Sequence, residues 1–192
     1  LEYREEAYDY IDFNFQRTIP HKFSQYGSSM AIGDVNGDGL DDVFLPSSGG
    51  FAQHWFIQRE GGRFEKQTVT YKVNEKLLEE DTGSLLFDAD GDGDLDLYLV
   101  RGSAQYKAGN ALYQDALYLN DGIGNFSLAE AALPKISANG SCVKAADFDL
   151  DGDLDLFVGS RVLPNSYPLP DRSYLLRNDS QDGQVKFTDV TE

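Results

Sequence analysis

The chain has 192 residues, 41% of them hydrophobic, and a net charge of −17; it is long enough for one domain with a sizeable core and too apolar for a disordered acidic tail. That charge excludes nucleic acid as a partner, because no basic stripe is present to neutralise phosphates, and it opposes direct docking on an acidic membrane surface. No run approaches the roughly 18 apolar residues of a spanning helix, and the single cysteine, Cys142, rules out an internal disulfide.

Residues 1–27 form an irregular segment rich in Tyr, Phe and Asp. Its stretch Tyr8–Phe13 alternates and predicts a strand, and Pro20 breaks the pattern that follows. The chain starts Leu1-Glu2-Tyr3, with neither Met nor a signal peptide, and so reads as a mature piece or part of something longer. From Ser28 the sequence repeats itself. An apolar strand leads into an acidic loop and out to a second strand: Met30-Ala31-Ile32 to Val43-Phe44-Leu45, Leu85-Leu86-Phe87 to Leu97-Tyr98-Leu99, and Val143–Ala146 to Leu156-Phe157-Val158.

A third strand follows in each copy (Trp55-Phe56-Ile57, Leu117-Tyr118-Leu119, Tyr174-Leu175-Leu176), then a Gly-containing turn and a fourth strand opening on Phe64, Phe126 or Phe187. Four short strands at a period of about 60 residues is the signature of β-propeller blades. The expected class is therefore all-β: three four-stranded blades at 28–71, 82–131 and 140–192, joined by connectors at 72–81 and 132–139, in one partial propeller. A short helix is expected over Glu75–Glu80, and Cys142 is expected to be a small buried strand residue.

The acidic loops carry the chemistry. Oxygen-bearing side chains recur at positions 1, 3, 5 and 9: Asp34, Asn36, Asp38 and Asp42; Asp88, Asp90, Asp92 and Asp96; Asp147, Asp149, Asp151 and Asp155. Carboxylates this close repel unless a cation sits among them, and calcium suits a crowded, flexible oxygen cage. Position 7, filled by Leu40, Asp94 and Asp153, tolerates any residue if it ligates through its carbonyl. An EF-hand needs an acid at position 12 and flanking helices; here position 12 is Leu45, Leu99 or Val158, between strand-like runs. Magnesium keeps its waters and wants fewer protein ligands. Three structural calcium ions, one per loop, are expected to pin the turns between first and second strands.

The strings Gly33–Asp42 and Phe148–Leu156 resemble FG-GAP (VCBS) repeats, as in integrin α-subunit propellers. Leu117–Phe126 and Phe187–Glu192 look like blade endings of bacterial proteins that also carry an ASPIC/UnbV-type domain, relatives of cartilage acidic protein. The resemblance covers about residues 28–192 and implies calcium in the loops, export to the cell surface or beyond (the bacterial outer membrane included), and roles in adhesion and recognition. It also implies a ring of about seven blades, so the remaining blades are expected from the same protein or another chain, and the end at Glu192 reads as a cut between blades.

Three functions compete at this stage. A calcium-stabilised surface module would bind protein or glycan on the face opposite the calcium loops, where the long loops 102–114 and 160–172 place Tyr106, Tyr113 and Tyr167. A polysaccharide lyase or hydrolase would need acid–base groups, for which only His21 and His54 stand out, with no triad spacing. A structural subunit of a surface assembly is the third. An enzyme is the least favoured reading.

Overall fold

The computed structural model describes residues 3, 10–24, 27, 29–69, 71, 79–103, 105–181 and 183–192. Among the described residues twelve strands run in chain order: β1 (Ala31–Gly33), β2 (Asp42–Leu45), β3 (Gln53–Arg59), β4 (Arg63–Val69), β5 (Asp81–Phe87), β6 (Asp96–Arg101), β7 (Ala116–Asn120), β8 (Phe126–Leu128), β9 (Gly140–Ala146), β10 (Asp155–Ser160), β11 (Tyr174–Asn178) and β12 (Phe187–Asp189). They pair as three four-stranded antiparallel sheets, each in simple order, β1 to β4, β5 to β8 and β9 to β12. Each sheet is a blade, and the blades follow one another through contacts of their first strands.

The three blades share one register. Val43 faces Phe56, Leu97 faces Tyr118, and Leu156 faces Leu176 across the middle strands. One residue further, Phe44 faces Trp55, Tyr98 faces Leu117, and Phe157 faces Leu175. Because side chains alternate along a strand, these two sets lie on opposite faces of each blade. The first set looks toward the preceding blade and the second toward the following one. Thus Phe44, Trp55 and Ile57 of blade 1 pack on Leu97, Leu99 and Tyr118 of blade 2. Tyr98, Val100 and Leu117 of blade 2 pack in turn on Leu156, Val158, Tyr174 and Leu176 of blade 3. Full burial of one such side chain contributes about 1.5–3 kcal/mol, so the two inter-blade cores hold the array together. This also explains β6, buried along its whole length: it is covered on both faces.

Three sequence expectations are corrected or left aside. Tyr8 and Asp9 lie outside the described residues, and Asp12–Asn14 form a 3-10 turn instead of a strand. Asp12 is buried there and its Oδ2 accepts the Ser24 hydroxyl at 2.7 Å, which closes the segment on itself. The helix expected over Glu75–Glu80 falls on residues that, up to 78, lie outside the described set. Cys142 is exposed, not buried. It stands opposite Gly159 on the face of blade 3 that no described residue covers.

Candidate metal centres

The acidic loops are the β1–β2, β5–β6 and β9–β10 turns, all at one end of the blades. Their backbone is shaped by the position-1 aspartate. Asp34 Oδ1 accepts the Gly37 amide at 2.8 Å and Oδ2 the Gly39 amide at 2.7 Å. Asp88 does the same for Gly91 and Gly93, and Asp147 for Leu150 and Gly152. Position 5 repeats this on a smaller scale, with Asp38, Asp92 and Asp151 each accepting the amide of position 7.

The position-9 aspartate has a second duty. Asp42, Asp96 and Asp155 are all 1% exposed or less. One oxygen of each accepts the position-2 amide, from Val35, Ala89 or Phe148. The other accepts a third-strand amide, from Gln58, Asn120 or Asn178, at 2.7–2.8 Å. Position 9 therefore ties the loop to its own blade and also faces the loop interior.

Whether these groups suit a cation is decided by crowding and by unsatisfied oxygens. Carboxylate oxygens of Asp88, Asp90 and Asp96 lie within 4.8 Å of one another, and so do those of Asp147, Asp149 and Asp151. Asp92 and Asp155 stand outside these trios. Two further oxygens, Asp94 Oδ1 and Asp153 Oδ1 at position 7, are buried without a hydrogen-bond partner. Burial first, then repulsion from Asp92, pushes the Asp94 carboxyl up to about 6. Burial pushes Asp96 up to about 7 against the pull of the Asn120 and Ala89 amides. Burial, then the Asp151 contact, lifts Asp153 to about 6. Asp90 is raised by burial and by Asp92. A hard divalent cation would offset both the repulsion and the missing partners, so the donor set fits one. The first loop differs. Asn36 donates its Nδ2 to Asp42 Oδ2 at 3.3 Å, so an amide hydrogen stands where the other loops place a charge.

A family model for the FG-GAP-like repeat matches residues 34–99 and 88–158. The chain belongs to the FG-GAP-like repeat family. Each match begins on the position-1 aspartate of one loop and ends just past the next, so the two matches together span all three loops. The family is mainly one of binding and structural modules. Comparison with curated proteins returns no match.

The FG-GAP-like repeat also carries a feature missed in the sequence. Asn120 Nδ2 reaches out of its blade to the Val35 carbonyl at 2.8 Å, and Asn178 Nδ2 reaches the Ala89 carbonyl at 3.0 Å. Each amide thus joins its own blade to position 2 of the preceding acidic loop. The available signal was the Asn-Asp pair at the end of the third strand in both repeats, which reads locally as a turn.

At the opposite end, the FG-GAP-like blades close on a buried polar cluster. Arg101, 1% exposed, pairs with Asp81, and Glu79 stands 3.5 Å away. Gln53 donates to Asp81. Asp115 accepts from Tyr98 Oη and from the Arg101 amide, and burial lifts its carboxyl to about 7. The long loops lie beside this cluster and correct one expectation: Tyr113 is fully buried, its hydroxyl within 3.0 Å of the Ser103 and Tyr106 carbonyls, so it braces the loop and offers nothing to a ligand. Tyr106 is half-buried on the Tyr113 ring. Tyr167 is half-buried against Phe23 of the N-terminal segment, with ring centroids 6.0 Å apart. The two histidines do not come together. His54 packs on Tyr3 and its Nδ1 lies 3.3 Å from Thr68 Oγ1; His21 is exposed beside Phe23.

Proposed function

We propose that the chain is a calcium-stabilised propeller module that works outside the cell or at its surface, with the ions structural and binding left to the other face. The observation that carries this is the pair of carboxylate trios, each beside a buried oxygen without a partner, at the first turn of a blade. Each trio would hold one ion together with the Asp94 or Asp153 side of its loop, and the Asn36 loop would bind more weakly with one charge fewer. Extracellular calcium is plentiful enough to fill weak sites of this type. The bound ion supplies fixed positive charge and nothing reactive. The binding face is then built by loop 160–172, Tyr106 and Tyr167 with residues 10–24, where protein or glycan would sit.

The test is thermal unfolding with calcium, magnesium and chelator. A site filled a hundredfold above its Kd adds about 2.7 kcal/mol, and a chain of this size gains about 2–4 °C for each kcal/mol. Calcium is expected to raise Tm by several degrees, and magnesium by less. A melting curve that chelator leaves unchanged would sink the proposal.

A further inference from the structure

We propose that a cleft in blade 2, at the end opposite its acidic loop, is a binding site for a small primary amine, with the ammonium at Glu79 and Asp115 and an apolar body along Leu117, Leu128, Leu133 and Ile136. The site is separate from the acidic loops, so a chelator experiment can fail while it stands.

The cleft is a gap in the repeated register. In blade 1 the fourth strand covers all of the third, as far as His54 opposite Thr68 and Gln53 opposite Val69. In blade 2 the pairing stops where Tyr118 meets Leu128, and the chain turns away once the Ala129 amide has donated to the Leu117 carbonyl at 2.9 Å. Tyr118 is the counterpart of Phe56, so Ala116 and Asp115 stand where His54 and Gln53 do, and no fourth-strand residue of blade 2 pairs with them. Side-chain volume is missing as well, since blade 3 has Tyr174 at the place of Ala116. The turn 129–136 and the 3-10 turn Ala111–Tyr113 wall the gap instead. They leave a cleft of about 580 Å³, which suits a small molecule.

The chemistry of the occupant follows from the lining. The walls are mostly apolar, whereas Asp115, 4% exposed, and Glu79, with its side chain 8% exposed, bring buried acid to the cleft. Both belong to the cluster around Arg101, where the carboxyl groups of Glu79, Asp81 and Asp115 meet a single guanidinium. Arg101 is the one buried cation among the described residues, and Asp81 and Glu79 share it. A buried surplus of negative charge is costly, and a ligand ammonium offsets it. A ligand carboxylate adds to the surplus, and a neutral head leaves it in place. Burial lifts the Asp115 carboxyl to about 7, in keeping with a site short of positive charge. Glu130 and Lys135 also line the cleft, but both are exposed and together add no net charge.

The test is titration calorimetry on the whole chain at about 0.15 M salt, which screens exposed charges. The probes are phenylbutylamine, phenylbutanol and phenylbutyrate, alike in shape and different in charge. The amine is expected to bind about tenfold or more tightly than the alcohol, as one charge-assisted contact gives, and the acid most weakly. Ala111→Trp puts an indole into the cleft from an exposed position and should abolish amine binding. Glu79→Gln should bring the amine down toward the alcohol. Equal affinity for amine and alcohol, tightest binding of the acid, or no binding of the amine overturns the inference. So does amine binding that survives Ala111→Trp, or a preference for the amine that Glu79→Gln leaves unchanged.

Discussion

Single side chains set the backbone conformation and the charge of each acidic loop. Position 4 is Gly37 or Gly91 in the first two loops, at φ 73° and 80°, and Leu150 in the third, at φ 65°. Left-handed backbone costs an L-residue about 1–2 kcal/mol, and Leu150 is 85% exposed, with little packing to offset it. Leu150→Gly is therefore expected to stabilise the fold by about 0.5–1 kcal/mol after glycine's own entropy cost, read as a higher urea midpoint at constant m. Asn36 is the other informative position. Asn36→Asp removes the amide bond to Asp42 and adds a charge, so the variant should melt lower than the parent in chelator, by roughly 1 kcal/mol, and gain more from calcium. A variant that melts lower in both conditions would contradict the role given to this side chain.

Protonation also belongs to this scale. Burial lifts Asp115 to about 7, and burial, offset in part by the Ser103 hydrogen bond, lifts Glu80 to about 7. In the unfolded chain both release their protons near pH 4. Between about pH 4 and pH 7 the folded state therefore binds more protons, and stability falls as pH rises through that window. Urea midpoints measured in chelator should drop from pH 5 to pH 7.5, and Asp115→Asn should flatten the slope. A midpoint that rises over this range would refute the assignment.

At the level of elements, the blades are joined by two kinds of contact, apolar faces and one amide each. Asn178 is 2% exposed and donates to Ala89 and Leu154. Asn178→Ala strands buried carbonyls and should cost about 1–3 kcal/mol, with a similar loss for Asn120→Ala. Gln58 holds the same register in blade 1, and among the described residues no side-chain hydrogen bond joins it to another blade. Gln58→Ala should change stability by no more than about 0.5 kcal/mol. Equal losses at all three positions would show that the amides act within a blade and not between blades.

How much of this could be read in the sequence follows from the range of each interaction. The loops and strands are local patterns, so Asp88–Asp96 with its apolar flanks placed β5, β6 and the turn between them correctly. The fourth-strand aromatics also fell where expected, opening or nearly opening β4, β8 and β12. What escaped depends on partners far along the chain. Asn120 meets Val35, and Asn178 meets Ala89, across the blade boundary. Tyr113 reads as a loop tyrosine until Ser103 and Tyr106 close over its hydroxyl. Cys142 has the pattern of a buried strand residue, and its exposure is set by which side of blade 3 has a neighbour.

Across the whole molecule the joints and the cation loops are built from the same residues. Val35 gives its amide to Asp42 and its carbonyl to Asn120, and Ala89 gives its amide to Asp96 and its carbonyl to Asn178. One peptide segment is thereby anchored at both ends, to its own loop and to the next blade. In mechanical terms the blades form a row of hinges whose pins are these segments. On the proposal that these loops hold calcium, ion occupancy would set hinge stiffness, so pulling the chain from its ends should meet steps of resistance that calcium raises and chelator lowers, blade by blade.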